Sequence, residues 1–269
     1  MSGDVWSATS GVEGGPHLVL IHGSLDRSAG LLKLSRRLDR AFRVTRFDRR
    51  GYGRSVPHDG PFGIADQVDD LATVIARAPE AGDPLVFVGH SYGGNVALAF
   101  ADRHPGRVAA IVTYESPLSW EPWWPKDSAG GDAVAWEGDT EEAAERFMRS
   151  LIGDERWDRL PPATRRARRR EGAAMIGELV DLRRAAPWTA DRIGVPVLAL
   201  RGEHGRDHHR RGAEVLADRL SDAELGIVEG ARHFGPNTHP DAVAELIVSF
   251  LRRRVPALAE SLRPSPGSS

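Results

Sequence analysis

The stretch that most constrains the fold runs from Val86 to Ala97: Val-Phe-Val-Gly-His-Ser-Tyr-Gly-Gly-Asn-Val-Ala. Leu85 to Val88 is a continuous apolar run and reads as a short buried strand. Asn95 to Arg103 has helix-forming composition, with Val96, Ala99 and Phe100 on one face. Between them lies Gly-x-Ser-x-Gly, the pattern of a sharp strand-to-helix turn that lifts a serine hydroxyl above the sheet. Such a turn strains the serine backbone, so the residues two before and two after it must be small. Gly89 and Gly93 meet that need, and Gly94 adds room for close helix–strand packing. Ser91 would then stand at a helix N-terminus, where free N–H groups favour developing negative charge. It is the candidate nucleophile; the plainer alternative is a glycine-rich turn without chemistry.

Around this turn the chain alternates strands and helices. Val5 to Ala8, followed by Gly11, Gly14, Gly15 and Pro16, predicts an edge hairpin over 4–16. His17 to Ile21 is a buried strand ending in His22-Gly23-Ser24. Helical spacing of Leu31, Leu34 and Leu38 predicts a helix over 28–40, and Phe42 to Phe47 the next strand. A helix is predicted over 64–78, with Val68, Leu71 and Ile75 on one face, and a strand over 108–113 leading into Tyr114-Glu115-Ser116-Pro117. The rhythm resumes with a strand over 195–200, a helix over 210–220, a strand over 224–228 and a helix over 240–254.

Between 118 and 190 the sequence reads as helices only. Asp139 with Glu142 three residues on has the spacing of a capping box, and one helix is expected over 162–184. This segment carries Trp120, Trp123, Trp124, Trp136, Trp157 and Trp188. The expected organisation is an α/β core of residues 1–117 and 191–255, an inserted helical lid over 118–190, and a frayed Pro/Ser-rich tail over 256–269. The fold class is α/β, a mostly parallel, doubly wound sheet. Ligands bind such sheets at the carboxyl ends of the strands. The His22 turn, Ser91, Glu115, the Gly202 loop and His233 all fall there.

Composition narrows the function classes. The 269 residues suit one large domain, or one domain with an insert. With 36 basic against 38 acidic residues, no global field steers the chain toward nucleic acid or anionic membrane. The absence of cysteine excludes a disulfide framework and thiol catalysis. Met1 to Asp4 lacks the basic and apolar regions of a signal peptide, and no apolar run approaches a membrane span, so a cytoplasmic protein is expected.

Four motifs in order resemble the α/β-hydrolase family, in its lidded serine esterase or lipase-like branch. They are His22-Gly23, the loop Asp48-Arg49-Arg50-Gly51-Tyr52-Gly53-Arg54-Ser55, the turn Gly89-His90-Ser91-Tyr92-Gly93, and Gly230-Ala231-Arg232-His233-Phe234. The resemblance covers about His17 to Leu251. It implies a serine hydrolase that cleaves an ester or related activated acyl bond through an acyl-enzyme, without cofactor or metal. Ser91 would be the nucleophile and His233 its base. The oxyanion donors would be the backbone N–H groups of Ser24 and Tyr92. The substrate is expected to be a small acyl compound with an apolar or aromatic part, and Trp123 and Trp124 are the expected pocket residues.

The triad acid departs from the family pattern. Its usual slot, in Gly202-Glu203-His204-Gly205-Arg206-Asp207, holds Gly205. Glu115, at the end of the neighbouring strand, is the expected acid; Asp207, from a lengthened loop, competes with it, with Glu203 behind them. The cluster His204, Asp207, His208 and His209 could suggest a metal, and Arg165 to Arg170 nucleic acid, but solvated or internally paired side chains are the simpler reading of both. Perhydrolysis, C–C bond hydrolysis and acyl transfer use the same triad, and a non-catalytic binding protein could keep the fold.

Overall fold

A computed structural model describes residues 5–78, 82–259 and 262. Seven strands form one sheet: β1 (Ser7–Gly11), β2 (Pro16–Ile21), β3 (Arg43–Phe47), β4 (Gly82–His90), β5 (Ala110–Tyr114), β6 (Val197–Gly202) and β7 (Ala223–Val228). Their spatial order is β1-β3-β2-β4-β5-β6-β7. Only β1 runs antiparallel, against β3. The expected hairpin over 4–16 is therefore not formed: β1 crosses over β2 and pairs Ser7 with Phe47. Gly14 and Gly15 turn the chain, but the free edge that β1 can extend is that of β3. A local turn signal cannot reveal that choice.

From β2 the chain steps outward to β3, then back across β2 to β4, and onward in the opposite direction. The crevice at such a reversal is where open α/β sheets bind ligands. Ile21 pairs with Gly89, His90 with Tyr114 and Tyr114 with Leu200, which brings the carboxyl ends of β2, β4, β5 and β6 level. The residues immediately beyond those ends are thereby collected on one rim.

The two-residue period of the strands fills two cores. With α1 (Leu32–Leu38) on the opposite face, Val19, Ile21 and Phe87 pack on one face beneath α2 (Ile64–Ala76) and α3 (Tyr92–Arg103). Leu18, Leu20, Val86 and Val88 pack on the other, with Ile247 and Phe250 of the C-terminal helix Pro240–Arg254. Each such fully buried side chain contributes about 1.5–3 kcal/mol. Leu258 and Leu262 also bury into this second core, and Pro256–Leu258 forms a short turn of 3-10 helix. Of the expected tail, the described residues 256–259 and 262 are thus docked at least through these two leucines.

Residues 118–190 hold helices and, among the described residues, no strand. Asp139 caps Thr140–Ile152, accepting from the Glu142 N–H at 2.7 Å. The single helix expected over 162–184 is broken at Glu171 into Pro162–Arg170 and Gly172–Arg184. A Cβ on Gly172 would lie 1.9 Å from the Thr140 carbonyl, so the second helix can start only where the chain has no side chain. Among the described residues no helix is long and apolar enough to cross a membrane.

Candidate active site

Ser91 follows β4 directly and precedes the first residue of α3. Its backbone is left-handed, at φ 52° and ψ −124°, a conformation that costs a non-glycine residue of order 1–3 kcal/mol. The turn is closed by the Ser91 N–H donating to the Tyr114 carbonyl at 2.8 Å. A Cβ on Gly93 would sit 2.2 Å from the Ile21 carbonyl, so only glycine lets β2 approach this closely. The loop after β2 accordingly lies against the serine: a Cβ on Gly23 would be 2.9 Å from that of Ser91.

His22 anchors that loop rather than entering the cleft. Its Nε2 accepts from the Arg49 N–H at 2.9 Å, which leaves Nδ1 to donate to the Gly23 carbonyl at 2.8 Å. Burial, and then the charge of Arg49, hold its pKa well below the usual range, so it stays neutral. Asp48 is structural too, accepting from the N–H groups of Ser28 (2.7 Å) and Arg54 (2.9 Å).

His233 lies in the loop after β7. Its Nδ1 is 2.8 Å from Glu115 Oε2. The other carboxylate oxygen, Oε1, accepts from the Gly202 N–H at 3.0 Å. Glu115 is buried and, like Ser91, left-handed, at φ 47°. Both oxygens of this desolvated carboxylate are therefore paired, as a buried charge requires. Asp207 is the first residue of the helix Asp207–Arg219; its side chain is 91% exposed and paired with Arg210. The structure brings Glu115, not Asp207, to His233. Glu203 accepts from the Gly230 N–H and is exposed.

Gly205 is part of the same arrangement. A Cβ there would stand 2.3 Å from Glu115 Oε1. The carboxylate from β5 occupies the space that a side chain at 205 would need.

Neighbouring side chains fix the His233 loop. His90 Nε2 donates to the His233 carbonyl at 2.8 Å, and Tyr114 donates its hydroxyl hydrogen to the Arg232 carbonyl at 2.8 Å. Burial, then the proximity of His233, push the His90 pKa down to about 3. The buried His209 ring lies 4.5 Å from the His233 ring at 33°. Its pKa too is lowered well below the usual value, first by burial. Sequence reasoning assigned His209 to a solvated cluster; nothing in its neighbours distinguishes it from the exposed His204. Glu115, His209 and His233 place donor atoms within 4.8 Å of one another, a set that could hold a metal, but Glu115 and His233 are spent on each other.

Ser91 and His233 open into a cavity of about 60 Å³. Ser24 lines it, and Tyr92 contributes the first N–H of α3, which has no intrahelical acceptor. Trp124 is on the wall; Trp123 is not. The Trp123 ring is half-buried against the first core, with the Arg211 guanidinium 4.3 Å from its centroid, so of the two tryptophans expected in the pocket only Trp124 lines this cavity. Adjacent residues on a turn point in different directions, and only one of the pair can face inward. Of the other tryptophans in 118–190, Trp157 and Trp188 are buried, Trp157 bonding Glu145 and Trp188 bonding Asn95 of α3, and Trp120 and Trp136 are partly buried.

Comparison with known proteins agrees with this architecture. A model of the alpha/beta hydrolase family matches residues 18–246. A pimeloyl-[acyl-carrier protein] methyl ester esterase of Cronobacter sakazakii is 29% identical, covering 93% of this chain and 98% of the relative. Its namesake from Salmonella newport is 30% identical, covering 92% and 98%. Among solved structures, a thermophilic esterase from Thermogutta terrifontis superposes with TM-score 0.71 at 23% identity, covering 93% of each chain. An alpha/beta hydrolase from Sphaerobacter thermophilus gives TM-score 0.64 at 26% identity, covering 93% of this chain and 98% of that one. With its sheet, its rim of residues and most of its length accounted for in this way, the chain belongs to the alpha/beta-hydrolase family, as an enzyme of the carboxylic ester hydrolase kind.

Proposed function

We propose that the protein hydrolyses small carboxylic esters through an acyl-enzyme on Ser91. The observation that carries this reading is the 2.8 Å contact of His233 Nδ1 with the buried Glu115, on the same cavity as the strained Ser91. Ser91 Oγ attacks the ester carbonyl while His233 Nε2 takes its proton. The N–H groups of Ser24 and Tyr92 face the oxyanion; each such donor is worth about 10²–10³ in rate. As the C–O bond breaks, the alcohol leaves with the proton held by His233. Water, deprotonated by the same nitrogen, then attacks the acyl carbon, and Ser91 departs reprotonated with release of the carboxylic acid. Glu115 holds the imidazole tautomer and stabilises the imidazolium. Trp124, Phe147, Leu151 and Leu179 give the cavity an apolar wall suited to an acyl chain. The relatives are named for a methyl ester, so methyl esters are the first substrates to try.

The test is labelling with a fluorophosphonate followed by peptide mapping. The label is expected on Ser91. Ser91→Ala should lose both label and turnover of a chromogenic ester while keeping its circular dichroism. Substantial turnover by the folded, pure variant would end this reading.

A further inference from the structure

From the lining of the active-site cavity we infer that the substrate carries a free carboxylate, and that Arg183 binds it. The inference rests on the esterase reading for the identity of the site and adds the class of ester.

Arg183 lies in the last turn of the helix Gly172–Arg184 and on the cavity wall. Its guanidinium has one protein partner among the described residues, the Leu179 carbonyl of its own helix, at 3.0 Å from Nη1. No carboxylate lies within ion-pair distance. The other inward-facing arginines are different: Arg49 has Glu178 at 2.6 Å, Arg50 has Asp70 at 2.6 Å, and Arg168 has Glu171 at 2.9 Å. The arginines that are fully buried among the described residues are thus ion-paired, whereas Arg183, half-buried on the cavity wall, is not. Its desolvation is uncompensated, and that burial lowers its pKa.

The space around the guanidinium is arranged to admit it. A Cβ on Gly130 would come within 2.9 Å of Arg183 Nη2 and 3.4 Å of the Leu179 side chain. Arg206, also on the wall, bonds only the Ser150 backbone carbonyl and hydroxyl (2.7 and 3.5 Å), adding a second cation without a carboxylate partner. Asp26 is the one carboxyl of the lining, and it is not among the charges that act on Arg183. Leu179 and Phe147 supply apolar surface in the same cavity. A forked guanidinium there matches a planar carboxylate two oxygens at a time. The fitting substrate is a short dicarboxylic acid with one carboxyl esterified and the other free, or a lactone bearing a carboxylate.

The experiment compares monomethyl adipate with dimethyl adipate, which differ by one charge, in the wild type, Arg183→Gln and Arg183→Lys. The wild type should prefer the monoester in kcat/KM. Arg183→Gln should reduce that preference at least tenfold, mainly through KM on the monoester, and Arg183→Lys should restore part of it. Adipate itself, followed by tryptophan fluorescence, tests binding without turnover and should bind at least tenfold more weakly to Arg183→Gln. Equal preference in wild type and Arg183→Gln, or unchanged adipate binding, overturns the inference. Tighter competition by inorganic phosphate than by adipate also overturns it, assigning the cation to a phosphate. Failure of the esterase reading looks different: no fluorophosphonate label and no turnover of either ester, with adipate binding still reporting on Arg183.

Discussion

Glu115 reaches His233 from a left-handed backbone at the end of β5, with each oxygen held by one donor. Glu115→Gln should therefore lower kcat at least about 10²-fold, by leaving the imidazolium unstabilised. Asp207→Asn should cost less than about tenfold, since that carboxylate lies in solvent beside Arg210. Gly205→Ala is the sharper probe. It touches no substrate, yet its methyl would displace Glu115 Oε1, so kcat should fall while a fluorophosphonate still identifies Ser91. Steady-state kinetics on the three folded variants checks the order; an Asp207 variant more damaged than Glu115→Gln would reverse the assignment. At this scale the sequence placed Ser91, Glu115 and His233 on one rim, because each follows the end of a strand or its loop. It left Glu115 and Asp207 unresolved because the choice turns on which carboxylate fills the vacant side-chain volume of Gly205. It also passed over Arg183, which among the described residues has no carboxylate partner, a property no spacing reports.

Two helices of the 118–190 segment are tied to the core by buried charge. Glu178 is fully buried and accepts from Arg49 (2.6 Å) and the Tyr52 hydroxyl (2.6 Å). Arg49 in turn donates from Nε to the His22 carbonyl at 2.9 Å, at the base of the loop that carries Ser24. Arg168, paired with Glu171, donates to the Leu25 carbonyl at 2.6 Å and steadies that residue at φ 50°. Removing one partner of a buried pair strands the other, at about 3–5 kcal/mol. Glu178→Ala should lose about that much in urea unfolding, whereas Asp241→Ala, which breaks the solvent-exposed pair Arg37–Asp241, should cost far less. A loss for Glu178→Ala no larger than that of Asp241→Ala would show that Arg49 finds another partner. The helices themselves were legible from periodicity and from the Asp139 cap. Their break at Glu171 was not, because it answers to Gly53, Arg27 and Arg168, of which the first two are more than a hundred residues away.

For the whole molecule, stability against pH is written in the cavity. Burial pushes the Asp26 carboxyl up to about 6, from an ordinary value of 3.8, against the opposing pull of Arg27 and Arg49. A carboxyl whose pKa is raised on folding binds its proton more tightly in the folded chain. Its favourable contribution is complete below the unfolded value and is lost as pH rises through 6. At pH 8 the ionised, desolvated Asp26 thus opposes folding, by about 1–3 kcal/mol at roughly 1.4 kcal/mol per pKa unit. Asn has the shape of the protonated acid without its charge. Asp26→Asn should then match the wild type near pH 4 and be more stable by about 1–3 kcal/mol at pH 8. The gap should open from about the unfolded value of 3.8, be half-developed midway, and be complete once pH has passed the folded value of about 6. Urea unfolding at four or five pH values measures it directly. A difference that stays constant with pH would mean that Asp26 does not titrate with folding, and that the variant acts through packing against Gly30 instead.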